Sequence, residues 1–211
     1  MIARLFVRDL RRALGGAAWL PIAFFVLIAA LLPFAVGPDA ELLARAGPGM
    51  LWIAALTAAL MPVDRLIEPD RADGTIDQLS LHDVSEEALA IVRIAAHWLS
   101  FAPLLMLAAL PAAALLNLAP TMLWRLEASL LVGTPGLAAL SVAIAAMVAG
   151  LPRAGSLAGL LLFPLAVPLL IFAAAYLNQG GSAFWLEAAA SLILVAIAPF
   201  ATAAAIRAGR T

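Results

Sequence analysis

The 211-residue chain contains no cysteine, and all twelve of its basic residues are arginines. The absence of cysteine excludes disulfide bonds, thiolate metal ligands and a cysteine nucleophile. Charged residues make up only 12% of the chain, and the formal net charge is −1. No polybasic tail of the kind that binds nucleic acid is present, so we expect no nucleic-acid partner.

Apolar residues are in large excess. They make up 65% of the chain, and the mean hydropathy is +1.08. A water-soluble domain could not bury that much apolar surface. A helix needs about 20 apolar residues to cross a bilayer core of about 30 Å. We therefore predict an all-α integral membrane protein with one transmembrane domain over residues 1–211. Its six spans are predicted at residues 19–36, 46–63, 94–118, 128–151, 157–177 and 188–206.

The arginines predict the orientation of these spans. An even number of spans places both termini on one side of the membrane. Cytoplasmic segments are enriched in basic residues, so the side with more arginines is predicted to be cytoplasmic. Only Arg45 and Arg125 fall on the side opposite the termini. The other ten, which place both termini in the cytoplasm, are Arg4, Arg8, Arg11, Arg12, Arg65, Arg71, Arg93, Arg153, Arg207 and Arg210.

Residues 1–16 have an amphipathic pattern. A helix with one basic and one apolar face can lie in the membrane interface, with its arginines on anionic lipid phosphates. The alternative is an arginine cluster that only sets the topology. The basic face carries Arg4, Arg8, Arg11 and Arg12, and the opposite face carries Ile2, Phe6, Leu10 and Leu14.

Residues 64–93 form the one large hydrophilic segment and hold eight of the thirteen acidic residues. A soluble partner on the cytoplasmic face would dock largely here. After Asp73, Thr75 can cap a short helix that carries Ile76 and Leu79 on one face. The alternative is a solvated loop whose acids only avoid lipid. The candidate docking residues are Asp64, Arg65, Asp73, Gly74, Thr75, Ile76, Asp77, Gln78 and Leu79.

Catalytic motifs are missing from the sequence. Residues 150–156 have the glycine spacing of a phosphate-binding loop but lack its lysine, and they join two predicted spans rather than a strand and a helix. No GxSxG or HExxH pattern occurs. We therefore expect no enzyme activity and no metal site, and any ATP would be hydrolysed by a partner.

The predicted spans contain few polar side chains. His97 lies near the cytoplasmic end of span three, next to Trp98. A histidine at this depth is a candidate heme ligand or proton-handling group. The alternative is a hydrogen-bonded histidine at the membrane interface. The other polar residues in or near the spans are Ser100, Thr134, Ser141 and Asn178.

Seven short motifs in the same order and spacing resemble the heme exporter protein B family. This is the CcmB permease of the bacterial cytochrome c maturation system, and the resemblance covers nearly the whole chain. The motifs include Leu32-Pro33-Phe34 with Gly37-Pro38, Leu42-Leu43-Ala44-Arg45, Asp73-Gly74-Thr75-Ile76-Asp77-Gln78-Leu79, Ala96-His97-Trp98, Gly133-Thr134-Pro135, Pro164-Leu165, and Pro199-Phe200-Ala201-Thr202.

The resemblance implies a permease subunit of an ABC-type complex in the bacterial inner membrane. An ATP-binding subunit would dock on the loop at residues 64–93, and a second copy of the chain would complete the pore domain. Further implied partners are a heme-handling membrane protein, a small single-span subunit and a periplasmic heme chaperone. Heme would be a handled ligand rather than a tightly bound cofactor. The alternative is a non-transporting scaffold that couples ATP hydrolysis to release of the chaperone.

Overall fold

The computed structural model describes residues 1–15, 19–37 and 39–210, and within these ranges it contains ten helices and no strand. Gly16, Pro38 and Thr211, which figured in the predictions, lie outside the described residues. The predicted all-α membrane fold is confirmed, because six helices are long and apolar enough to cross a membrane. The helices are α1 (Ile2–Leu14), α2 (Trp19–Val36), α3 (Ala40–Leu60), α4 (Val63–Leu66), α5 (Glu68–Ala72), α6 (Thr75–Leu81), α7 (Glu86–Leu115), α8 (Pro120–Val148), α9 (Ala154–Gln179) and α10 (Ala183–Ala208).

Helices α3, α7 and α8 begin six to eight residues before the predicted spans, and α3 and α7 do so at a side-chain cap. Helix α3 begins at Ala40 because the Asp39 carboxylate accepts hydrogen bonds from the backbone N–H groups of Glu41 (2.9 Å) and Leu42 (3.1 Å). Helix α7 begins at Glu86, where the Ser85 hydroxyl accepts from the Ala88 N–H at 3.2 Å. These caps satisfy first-turn N–H groups, so each helix extends past its apolar stretch into polar residues.

Helix α8 is the centre of the bundle. In its most apolar window, 78% of the residues are buried, against 22% in α2 and 28% in α9. Small residues on α8 let its neighbours approach closely. At Gly136, for example, the backbone N–H donates to the Ser191 hydroxyl of α10 at 2.9 Å. Helices α2 and α9 lie at the periphery and bury few of their side chains completely.

Contacts place both ends of the chain on one side of the bundle. Arg8 of α1 pairs with Asp70 of α5 at 2.6 Å, and Arg210, after α10, pairs with Asp77 of α6 at 2.9 Å. The turn after α8 lies on the same side, because the Gly150 N–H donates to the Glu68 carboxylate of α5 at 2.7 Å. We call this the terminal side; it comprises α1, α4, α5, α6, residues 150–153 and the C-terminal end of α10.

Candidate functional site

The hydrophilic segment folds into three short helices, of which α6 is the predicted docking helix. Gly74 precedes it at φ +74°, a left-handed conformation that costs glycine little. The start of α6 differs from the prediction, because the Thr75 hydroxyl does not cap the helix. Instead, the Asp73 carboxylate accepts a hydrogen bond from the Thr75 backbone N–H at 2.9 Å. Hydrogen bonds from the Thr75 side chain and backbone lower the pKa of Asp73.

Helix α6 has one buried and one exposed face. Ile76 is buried, and Leu79 packs partly against the core. Asp77 and Gln78 are exposed. Leu81, the last residue of α6, is 85% exposed. It lies outside the six spans, so an apolar side chain projects from the terminal side without cover from the described part of the chain.

Helix α6 is attached to the end of the last spanning helix. The Arg210 guanidinium donates to the carboxylates of Asp77 (2.9 Å) and Glu86 (2.7 Å) and to the Ile76 carbonyl (3.4 Å). Arg207 donates to Glu87 at 3.0 Å. A displacement of α6 would therefore act on both α10 and the first turn of α7.

Asp64 and Arg65 form a separate part of the predicted docking set. Both are exposed and lie in α4, whereas the other seven residues form α6 and the turn before it. The Asp64 carboxylate faces Gly155 at the start of α9, where a Cβ would lie 3.0 Å from it. Arg65 makes no ion pair within the described residues.

A buried ion cluster ties α1, α5 and α7 together, and sequence reasoning did not find it. Asp70 is 1% exposed and accepts hydrogen bonds from Arg8 (2.6 Å), Arg12 (2.5 Å) and Arg93. Arg93 is 5% exposed and also donates to the Leu66 carbonyl. We call Asp70 with its three arginines the Asp70 cluster. Burial of a charge is tolerated only with partners of this kind.

The cluster changes the interpretation of α1. Its basic face was predicted to meet lipid phosphates, but Arg8 and Arg12 pair with Asp70 instead. Burial lowers the pKa of Arg8, but its pairing with Asp9 and Asp70 outweighs this, and the pKa is raised. Arg4 and Arg11 are exposed and make no ion pair within the described ranges.

His97 takes part in helix packing. It is 2% exposed, and its ring lies 4.9 Å from the ring of Phe101. Its Nε2 is 3.0 Å from the Ala59 carbonyl, which can only accept, so Nε2 carries the proton. The Ser141 hydroxyl donates to the same carbonyl at 3.1 Å. This geometry favours the hydrogen-bonded alternative for His97 and leaves Nδ1 as its one nitrogen without a partner in the described residues.

The other polar side chains named in the sequence analysis are also hydrogen-bonded. Trp98 Nε1 donates to the Thr134 hydroxyl at 3.0 Å. Ser100, Thr134 and Asn178 each donate to a backbone carbonyl of their own helix.

A buried carboxylate inside the bundle escaped the sequence analysis. Glu187 is 0% exposed and accepts from the Ser129 hydroxyl at 2.7 Å, and that hydroxyl accepts from Trp52 Nε1 at 2.8 Å. The predicted sixth span began one residue after Glu187, whereas α10 begins at Ala183. Glu187 lies at the edge of an apolar run, and nothing in that pattern indicated that its side chain points into the bundle.

Nearly the whole chain matches a known protein family. The family described as "CcmB protein" matches residues 1–209. The chain is 43% identical over 212 residues to the heme exporter protein B of Rhodobacter capsulatus, covering 96% of this chain and 97% of that protein. The protein of the same name from Paracoccus denitrificans is 42% identical over 212 residues, with the same coverage of both chains. That from Escherichia coli is 36% identical over 215 residues and covers 98% of both chains.

Proposed function

The chain belongs to the CcmB protein family, and we propose that it is the permease subunit of an ABC-type complex that exports or releases heme for the assembly of c-type cytochromes. The match over nearly the full length to proteins named heme exporter protein B carries this proposal. In this role the chain is a multi-pass protein of the bacterial inner membrane with cytoplasmic termini. Nine arginines of the terminal side, together with Arg93 near the start of α7, support that orientation.

ATP would be hydrolysed by a separate subunit that docks on the terminal side. This chain has no phosphate-binding loop with its lysine. The docking surface would centre on the exposed end of α6, where Leu81 projects beside Asp77 and Gln78. Interfaces concentrate their energy in a few apolar anchors surrounded by polar residues. Movement of α6 would reach the bundle through Arg210, which joins α6 to α7 and α10.

The first test replaces the apolar anchor. We expect Leu81→Asp to weaken binding of the ATP-binding subunit about 30-fold or more, because hot-spot truncations cost about 2 kcal/mol or more. Co-purification of the two subunits from detergent-solubilised membranes measures this.

The matched control is Leu151→Asp. Leu151 is 49% exposed and also lies on the terminal side, in the turn after α8. This variant should keep the partner bound, whereas equal loss in both variants would show that α6 is not the docking site.

Other members of the complex belong to the same proposal. Six spans are half of the transport domain expected of such complexes, so a second copy of the chain would complete it. A heme-handling membrane protein, a small single-span subunit and a periplasmic heme chaperone would bind elsewhere on the dimer. Crosslinking of the solubilised complex would count the copies of this chain.

A scaffold role, without heme transport, is the second candidate. It is favoured by His97, which is buried and has its Nε2 bound to the Ala59 carbonyl. Hemin titration of the purified protein separates the two roles. We expect hemin to bind, and His97→Ala to leave its affinity unchanged, because the ring is buried and Nε2 is engaged. Absence of binding in both proteins supports the scaffold, and a loss confined to His97→Ala places heme at that residue.

A further inference from the structure

A cavity of about 80 Å³ lies on the terminal side, between α1, the start of α2, α4 and α7. Phe101 belongs to its apolar lining, and its polar lining comes from Asp9, Arg12, Arg65, Arg93, His97 and Ser100. Arg93 and Phe101 are about two helical turns, or about 12 Å, apart along α7. The lining therefore changes from charged to apolar along the direction in which a membrane interface changes into hydrocarbon.

The charges around this cavity do not balance. Three guanidinium groups line it against one carboxylate, that of Asp9, which pairs with Arg8 at 2.8 Å. Asp70 engages Arg12 and Arg93 from outside the lining. Arg65 has no ion-pair partner in the described part of the chain. The cavity therefore retains a positive charge that an anion would neutralise.

Three buried atoms of the lining lack a hydrogen-bond partner in residues 1–15, 19–37 and 39–210: Asp9 Oδ2, Arg93 Nε and His97 Nδ1. The first two face each other at 4.0 Å, which is too long for a hydrogen bond. His97 Nδ1 accepts because the proton is on Nε2. Buried polar atoms normally find partners. An acidic group that also carries hydroxyls would satisfy all three, because its oxygen accepts from Arg93 Nε and its hydroxyls donate to the other two atoms.

We propose that this cavity binds the phosphate headgroup of an anionic phospholipid from the surrounding leaflet. The phosphate would lie among Arg12, Arg65 and Arg93, because guanidinium groups bind phosphate oxygens in pairs. A headgroup hydroxyl would donate to His97, and the start of an acyl chain would follow the wall at Phe101. The bound lipid would hold α1 against α7 in addition to the Asp70 cluster. This site is independent of the proposed permease function.

The apolar wall distinguishes a lipid from free phosphate, which would gain nothing from Phe101. The position of the cavity also favours lipid. It lies on the terminal side, where the spans meet the membrane interface, and anionic headgroups are concentrated at that interface.

The test measures retention of phosphatidylglycerol by native mass spectrometry of the full-length protein in detergent. Arg65→Gln removes one phosphate contact without touching the Asp70 cluster, and we expect retention to fall about tenfold. Ala13→Phe partly fills the mouth from α1 without changing the charge, and should reduce retention similarly. Arg11→Gln is the matched control, an exposed arginine of α1 outside the cavity lining, and should leave retention unchanged.

Three results would overturn the proposal. Equal losses in Arg65→Gln and Arg11→Gln, with none in Ala13→Phe, would indicate diffuse attraction of anionic lipid to a basic surface. Displacement of the lipid by inorganic phosphate alone would indicate a free-phosphate site. Hemin binding that depends on Arg65, without retention of phosphatidylglycerol, would assign the cavity to a carboxylate ligand. A lipid lost with both cavity variants and kept with the control supports the site.

Discussion

Replacement of Asp70 by alanine should lower the free energy of unfolding by about 3–5 kcal/mol, because it leaves the buried Arg93 with only Asp9, 4.0 Å away, as a counter-ion among the described residues. Arg93 is 5% exposed and cannot turn into water without unpacking α7 from α1 and α5. Arg8 and Arg12 are more exposed and can be rehydrated, so Arg93 determines the size of the effect. Chemical unfolding of the purified protein in mixed micelles, followed by circular dichroism, measures the loss.

The exposed pair between Glu41 and Arg45 is the matched control. Its atoms are 2.9 Å apart, as close as in a buried pair, but its side chains are 83% and 71% exposed. Glu41→Ala should therefore cost less than about 1 kcal/mol. Equal losses at Asp70 and Glu41 would contradict the role of burial. Combining Asp70→Leu with Arg93→Met should recover stability, since apolar replacement removes both buried charges together.

The features that were predictable from the sequence depend on neighbouring residues. Apolar runs of sufficient length predicted the six spanning helices, because hydrocarbon requires each segment to satisfy its own backbone. Helix α6 was foreseen from Gly74 and Thr75, and only the capping role of Thr75 was wrong, because no described side chain caps α6 and the Asp73 carboxylate accepts from the Thr75 N–H. The starts of α3 and α7 were missed because hydropathy does not register the caps at Asp39 and Ser85.

The features that escaped prediction depend on contacts between distant residues. Asp70 meets Arg12 and Arg8 across 58 and 62 positions of the chain, and nothing local indicates which acid of the loop turns inward. Glu187 meets Ser129 across 58 positions. A carboxylate at the end of a span is expected to face water, and only the packing of α8 against α10 reverses that. Helix pairing is therefore the information that the sequence pattern lacked.

Introduction of a single methyl group at Gly133 should be the other strongly destabilising change. A Cβ at this position of α8 would lie 2.3 Å from Cη2 and 2.7 Å from Cζ2 of Trp52, and 2.9 Å from the Glu187 carboxylate. Trp52 is 1% exposed, so its ring cannot move aside freely. Overpacking costs about 1–3 kcal/mol, and loss of the hydrogen bond to Ser129 adds to it. We expect Gly133→Ala to cost about 3 kcal/mol in the same unfolding measurement.

A second glycine separates this steric effect from the ordinary effect of alanine in a helix. At Gly159 of α9 the nearest side-chain atom to an added Cβ is 3.6 Å away, so Gly159→Ala should stabilise the protein by about 0.5–1 kcal/mol. Trp52→Phe removes the indole atoms that the Gly133 Cβ would strike. Gly133→Ala should therefore cost much less in that background, and the difference is the coupling energy between α3 and α8. If Gly133→Ala is equally costly with phenylalanine at position 52, the strain lies elsewhere and α8 is not packed on α3 as described.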